Sequence, residues 1–145
     1  MKTDNTFKKI TGSEKRLYGP EKLLVCGYAT DERRQLLSFL DNLSFASIPV
    51  VFVSDNDANV TLHELLKRNG NTGMEEKSEM KRAIIISGFT EKKLNDLLSA
   101  YKKESLQKQF WAVVTPTSEN WSIDFLLKEL EKEEKAIKAR QKNNS

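Results

Sequence analysis

The sequence predicts an α/β domain: two tandem βαβα repeats forming one open, mostly parallel four-stranded sheet flanked by helices. Three observations predict it. Residues 22–68 lie on residues 83–129 when shifted by 61 positions, without a gap and with ten identities, and a repeat of this kind governs how every element is read. Short apolar runs ending in glycine precede segments of helical period. Strands that alternate with helices belong to parallel sheets joined by crossovers.

The equivalences are specific. Gly27 falls on Gly88, Tyr28 on Phe89, Val53 on Val114 and Asn59 on Asn120. Leu36, Leu37 and Ser38 fall on Leu97, Leu98 and Ser99, and Leu65, Leu66 and Lys67 on Leu126, Leu127 and Lys128.

In order, Lys22–Cys26 is a short apolar run bounded by glycine and reads as a buried strand. Thr30–Leu43 places Leu36, Leu37, Leu40 and Leu43 on one helical face, with Asp31 and Glu32 where the helix dipole favours acids. Pro49–Val53 is β-branched and reads as a strand. Ser54–Asn59 is a turn cluster. Thr61–Arg68 reads as a short helix: Thr61 and Glu64 have capping-box spacing, with Val60 and Leu65 as a hydrophobic staple. Asn69–Arg82, with Gly70, Gly73 and interleaved charges, reads as a linker or mobile loop. The unit then repeats: strand Ala83–Ser87, helix Thr90–Lys103, strand Phe110–Thr115 and a helix from Ser122 onward. With the two glycine-ended strands central, the strand order is 2-1-3-4. The alternative sets the halves antiparallel in one mixed sheet.

These elements imply a domain over residues 21–131, its repeats joined by loop 69–82. Residues 1–20 read as a disordered tail and 132–145 as a charged helical extension. The tail holds five Lys/Arg against two Asp/Glu, while the other 125 residues hold nineteen of each. The domain is therefore neutral, which argues against nucleic acid, whose partners carry a clustered basic face. The lone Cys26 leaves no internal disulfide and fits a reducing compartment. No apolar run approaches the roughly 18 residues of a membrane span, and no leader pattern is present. Together these predict a soluble, cytoplasmic protein.

Two edges carry candidate chemistry. Gly27–Thr30 and Gly88–Glu91 each end a strand and open a helix, where open α/β sheets bind ligands. Neither has the glycine spacing of a phosphate loop, so a sharp turn and a packing aromatic explain most of the pattern. Thr115, Thr117, Asn120 and Trp121 form a hydroxyl- and amide-bearing loop at a strand end, suited to a polar ligand. Trp121 also stands where Val60 stands, as the staple before cap Ser122. The candidate ligand-binding set is therefore Gly88, Phe89, Thr90, Thr115, Thr117, Asn120 and Trp121. No catalytic triad, carboxylate pair or metal-ligand cluster is visible in the sequence, and no catalytic residue, metal or cofactor is expected. Cys26 has no histidine placed to activate it, and His63 aligns with Asp124 on a solvent-facing position.

Val113 to Thr117, Asn120, Trp121 and Leu126 to Leu130, with the Gly88–Phe89 turn, make a VVTPTxxNW pattern. It resembles a bacterial domain-of-unknown-function family of small duplicated α/β proteins, over about residues 22–131. The resemblance implies a bacterial source and the α/β fold, and it implies no activity. The first half departs from it, with Asp55 for Pro116 and Val60 for Trp121.

The function expected is a small non-enzymatic binding or regulatory module, recognising a ligand or protein at the carboxyl edge of the sheet. One alternative is an enzyme or enzyme subunit completed by a partner or cofactor. The other is an RNA-associated protein using the basic tail.

Overall fold

The computed structural model of the chain describes residues 15–104 and 106–143. Four strands, β1 (Lys22–Cys26), β2 (Val50–Val53), β3 (Ala83–Ser87) and β4 (Phe110–Val113), alternate with helices α1 (Thr30–Asn42), α2 (Leu62–Leu65), α3 (Glu91–Lys103) and α4 (Ile123–Asn143). They form one open four-stranded sheet in the order β2-β1-β3-β4.

Side chains alternate across a strand, so β1 feeds two cores. Leu23 and Val25 meet Leu36 and Leu40 of α1 and Leu97 of α3 on one face. Leu24 and Cys26 meet Leu62 and Leu65 of α2 and Ile123, Leu126 and Leu127 of α4 on the other. Each fully buried leucine contributes about 1.5–3 kcal/mol of transfer free energy. Side-chain caps set three of the helix starts, two of them, Thr61 and Ser122, as the sequence indicates. Thr61 Oγ1 accepts from the Glu64 amide at 3.2 Å and Thr90 Oγ1 from the Lys93 amide at 3.1 Å. Ser122 Oγ accepts from the Phe125 amide at 3.1 Å.

The sheet is mixed: the expected parallel pairing holds within each half and not between the halves. β1–β2 and β3–β4 are parallel, but the central pair β1–β3 is antiparallel, with Leu24 opposite Ile85. The path of residues 69–82 is the cause. After α2 the chain lies beside the start of β1, where Lys22 Nζ donates to the carbonyls of Leu66 and Arg68. It then climbs the outer edge of β2. Asn71 donates to Val50, Phe52 to Thr72 and Asp55 to Lys77. It reaches the sheet at the end where β1 finishes, so β3 can only run the other way. The stretch expected as a linker or mobile loop is thus held along β2, and it covers an edge that would otherwise expose unpaired backbone groups.

Part of the expected tail is also held. Leu17 donates to the Phe89 carbonyl at 2.8 Å, and Gly88 donates to Tyr18 at 3.0 Å. The expectation for residues 1–14 lies outside the described residues.

Candidate functional site

Because the halves run oppositely, the two glycine turns sit at opposite ends of the sheet. Gly27 has φ +77° and Gly88 φ +69°, in the left-handed region where a side chain is disfavoured. At the end where β3 and β4 finish lie Gly88, Phe89 and Thr90 after β3 and Thr115, Thr117, Asn120 and Trp121 after β4, but Phe89 packs on one face of the sheet and Trp121 on the other. Most are used by the fold. A Cβ on Gly88 would lie 2.4 Å from the Gly19 carbonyl oxygen. Phe89 is fully buried, edge-on to Phe45. Thr90 caps α3. Thr115 and Ser118 exchange hydrogen bonds, each amide donating to the other's hydroxyl at 3.0 Å. Trp121 is half-buried, packs edge-on to Phe125, and its carbonyl accepts from the Leu62 amide. Thr117 and Asn120 remain exposed.

One polar cluster there had no signal in the sequence. Tyr18 Oη donates to Glu119 Oε1, and His63 Nδ1 lies 2.9 Å from Glu119 Oε2. The Tyr18 hydrogen bond first, then that of His63, hold the Glu119 carboxyl below its ordinary range. The cluster ties the amino-terminal segment, the first half and the second half to one carboxylate.

At the opposite end, where β1 finishes and β3 and β4 begin, two cavities of about 810 and 250 Å³ share Arg82, Tyr101 and Leu106 in their walls. Arg82 arrives at the end of the climbing segment. Its guanidinium carbon lies 3.8 Å from the centroid of the Tyr28 ring, a cation–π contact. One of its terminal nitrogens is 2.7 Å from Glu32 Oε1. Tyr28 Oη donates to Gln109 Oε1 at 2.6 Å and lies 3.4 Å from Tyr101 Oη. Tyr101 Oη donates to the Gln107 carbonyl at 2.6 Å. Burial, then the hydrogen bond with Tyr101, push the Tyr28 phenol well above its ordinary range, so it stays a neutral donor. Two donors are left over: Arg82 Nε and Gln109 Nε2 are buried without a hydrogen-bond partner.

Residues 82–137 match the family model Domain of unknown function (DUF3783). The matched DUF3783 segment runs from Arg82 through β3, α3 and β4 into α4. Of the resemblance anticipated over residues 22–131, a match to a domain of unknown function is found over residues 82–137. No curated protein and no solved structure matches the chain. The matched segment supplies Arg82, Tyr101, Gln109 and Trp111 to the cavity walls, and the first half adds Tyr28 and Glu32.

Sequence reasoning missed Arg82, Tyr101 and Gln109. One usable signal was present: Tyr28 stands where Phe89 stands, and a buried phenol needs a partner that phenylalanine does not. Arg82 and Gln109 flank strands and follow no period. What the cluster can do is bind. It offers a cation, a neutral phenol and an amide beside aromatic walls. Among the described residues, no group of three or more His, Cys, Asp or Glu is placed to hold a metal ion. Among them, no helix is long and apolar enough to cross a membrane.

Proposed function

We propose that this chain is a small non-enzymatic binding module built from two copies of one βαβα unit, taking its ligand at the carboxyl end of β1. The observation that carries the binding role is the Arg82–Tyr28–Gln109 cluster, with two unpaired buried donors beside a cavity. Buried polar groups are paired in nearly all native structures, so orphaned donors beside a cavity are where a ligand completes the pairing.

The duplication is supported by how equivalent residues meet. Leu24 pairs with Ile85 and Thr61 with Ser122, and each pair is separated by the same 61 positions. Leu62 donates to Trp121, and Ile123 donates to Val60. These contacts fit a pseudo-two-fold axis normal to the sheet. The two glycine turns are closed in matching ways: Gly27 packs on Met80 and Arg82, Gly88 on Gly19 to Glu21. The Gly27 turn meets Tyr28 and Arg82, whereas at the other turn Phe89 replaces the phenol and Arg16 donates to the Gly88 carbonyl. The loop carrying Thr117, Asn120 and Trp121 enters as a surface for a protein partner, since its polar groups are exposed beside a half-buried ring.

Native mass spectrometry of the protein purified from its own host tests the binding role. The expected result is a retained small molecule, lost in Leu106→Trp, where the larger ring fills the shared wall. An unliganded wild type, or equal retention by the variant, would sink it.

A further inference from the structure

We infer that the cavity at the carboxyl end of β1 selects a carboxylate carried on a flat apolar body. This rests on the binding role proposed above and names its ligand class.

The selection follows from what the walls lack. The unpaired buried atoms of Arg82 and Gln109 are both N–H groups, so they call for oxygen acceptors. The carbonyl oxygen of Gln109 is already taken by Tyr28, and Tyr28 and Tyr101 donate to Gln109 and Gln107. Both phenolic protons are thus committed within the cluster, which leaves the nitrogen donors of Arg82 and Gln109 for a ligand. The charge agrees. Arg82, Lys102 and Lys108 line the larger cavity against Glu134, and Lys102 and Lys108 are exposed at its rim. Glu32 partly neutralises Arg82, so the site suits a single negative charge better than a dianionic phosphate ester. The remaining walls are apolar: Leu98, Leu106 and Trp111, with Trp111 edge-on to Tyr101 at 5.0 Å between ring centroids. An aromatic ring has a partner there.

The test is calorimetry on the full chain with four probes of one ring system: 2-naphthoate, 2-naphthyl phosphate, 2-naphthalenemethanol and 2-naphthylmethylamine. Naphthoate is expected to bind one to one, to shift the Trp111 indole resonance, and to exceed the other three by about tenfold or more. Gln109→Glu, which replaces a donor by a like charge, should abolish naphthoate binding. Lys108→Glu lies on the exposed rim and leaves the core untouched. It should weaken naphthoate several-fold while barely changing the alcohol. Thermal melts identify any variant that fails to fold, in which case Lys108→Glu decides. Equal binding of the alcohol, or tighter binding of the amine or phosphate, overturns the carboxylate and leaves the binding role standing. Binding of none of the four overturns it as well, while native mass spectrometry judges the binding role separately.

Discussion

The guanidinium of Arg33 donates to the Gly73 carbonyl at 3.1 Å from a side chain only 2% exposed. It also donates to the carbonyls of Met74 and Glu76 and lies over the Phe52 ring. One α1 residue thus holds the segment that climbs β2. Hydrogen bonds from a charged donor contribute about 1.5–3 kcal/mol each, and orphaned carbonyls add a penalty. Arg33→Met should therefore lower stability by about 3 kcal/mol or more in urea unfolding and expose residues 69–82 to limited proteolysis. An unchanged midpoint with an uncut loop would show that the segment is held without it.

The glycine turns make a second forecast. At positive φ a side chain costs about 1–2 kcal/mol, and a Cβ at either glycine would sit 2.4 Å from a backbone oxygen. Gly27→Ala and Gly88→Ala should each lose at least that much. They differ in where the damage appears. Gly88→Ala should strip exchange protection from the Leu17 amide, and Gly27→Ala should leave that amide alone. Protection at Leu17 surviving Gly88→Ala would show that residues 15–20 are held by other contacts.

Glu119 gives a pH test. Its carboxyl is depressed below the ordinary 4.5 by Tyr18 and His63. A depressed acid contributes stability that is present above its unfolded value and lost as pH falls through its folded one. The Tyr18 tie to the Glu119 carboxylate should therefore loosen as pH falls below 4.5. NMR titration of the Glu119 side-chain carbon should give a value under the ordinary one, and Tyr18→Phe should move it upward. A titration unaffected by Tyr18→Phe would remove that tie.

Trp121 separates packing from recognition. Trp121→Val copies the first half and should lose roughly 1–3 kcal/mol, with the Leu62 amide still bonded to the backbone. If the exposed loop meets a partner, Trp121→Phe and Thr117→Val should cost little in thermal melts yet weaken capture of that partner from the host. Undiminished capture by both variants would remove the loop from recognition.

Cys26 is a buried thiol whose pKa burial raises well above the ordinary range. Thiolate is the reactive form, so Cys26 should resist a thiol reagent in native buffer and react at once in denaturant. Fast native labelling would mean that β1 opens locally.

Local sequence was enough for most elements. Apolar runs located β1 and β3 within residues 22–26 and 83–87, and cap residues located the starts of α2 and α4. It overran at weaker ends: α2 stops at Leu65 and β4 at Val113, because the chain turns away once its next side chains have a face to cover. The strand order was also legible, from setting the two glycine-ended strands at the centre of the sheet.

The candidate site was far less legible. Gly88 and Phe89 announced a turn and a core ring, and the structure uses them so, while Thr90, read as the first helical residue, is the cap of α3. The cavity cluster joins Tyr28 to Gln109 across 81 positions, and Arg82 reaches Tyr28 from the end of a stretch without period. No local pattern encodes such a meeting.

By itself, then, the sequence determined where strands and helices form, which faces they bury and which strands lie inside, because these follow from side-chain period and caps. Tertiary structure alone decided the sense of the central pair. That sense depends on the chain climbing β2 before entering β3, a path held by Arg33 and by backbone bonds between distant residues. It sent the two glycine turns to opposite ends of the sheet, closed one with residues 15–20, and gathered Arg82, Tyr28 and Gln109 at the other.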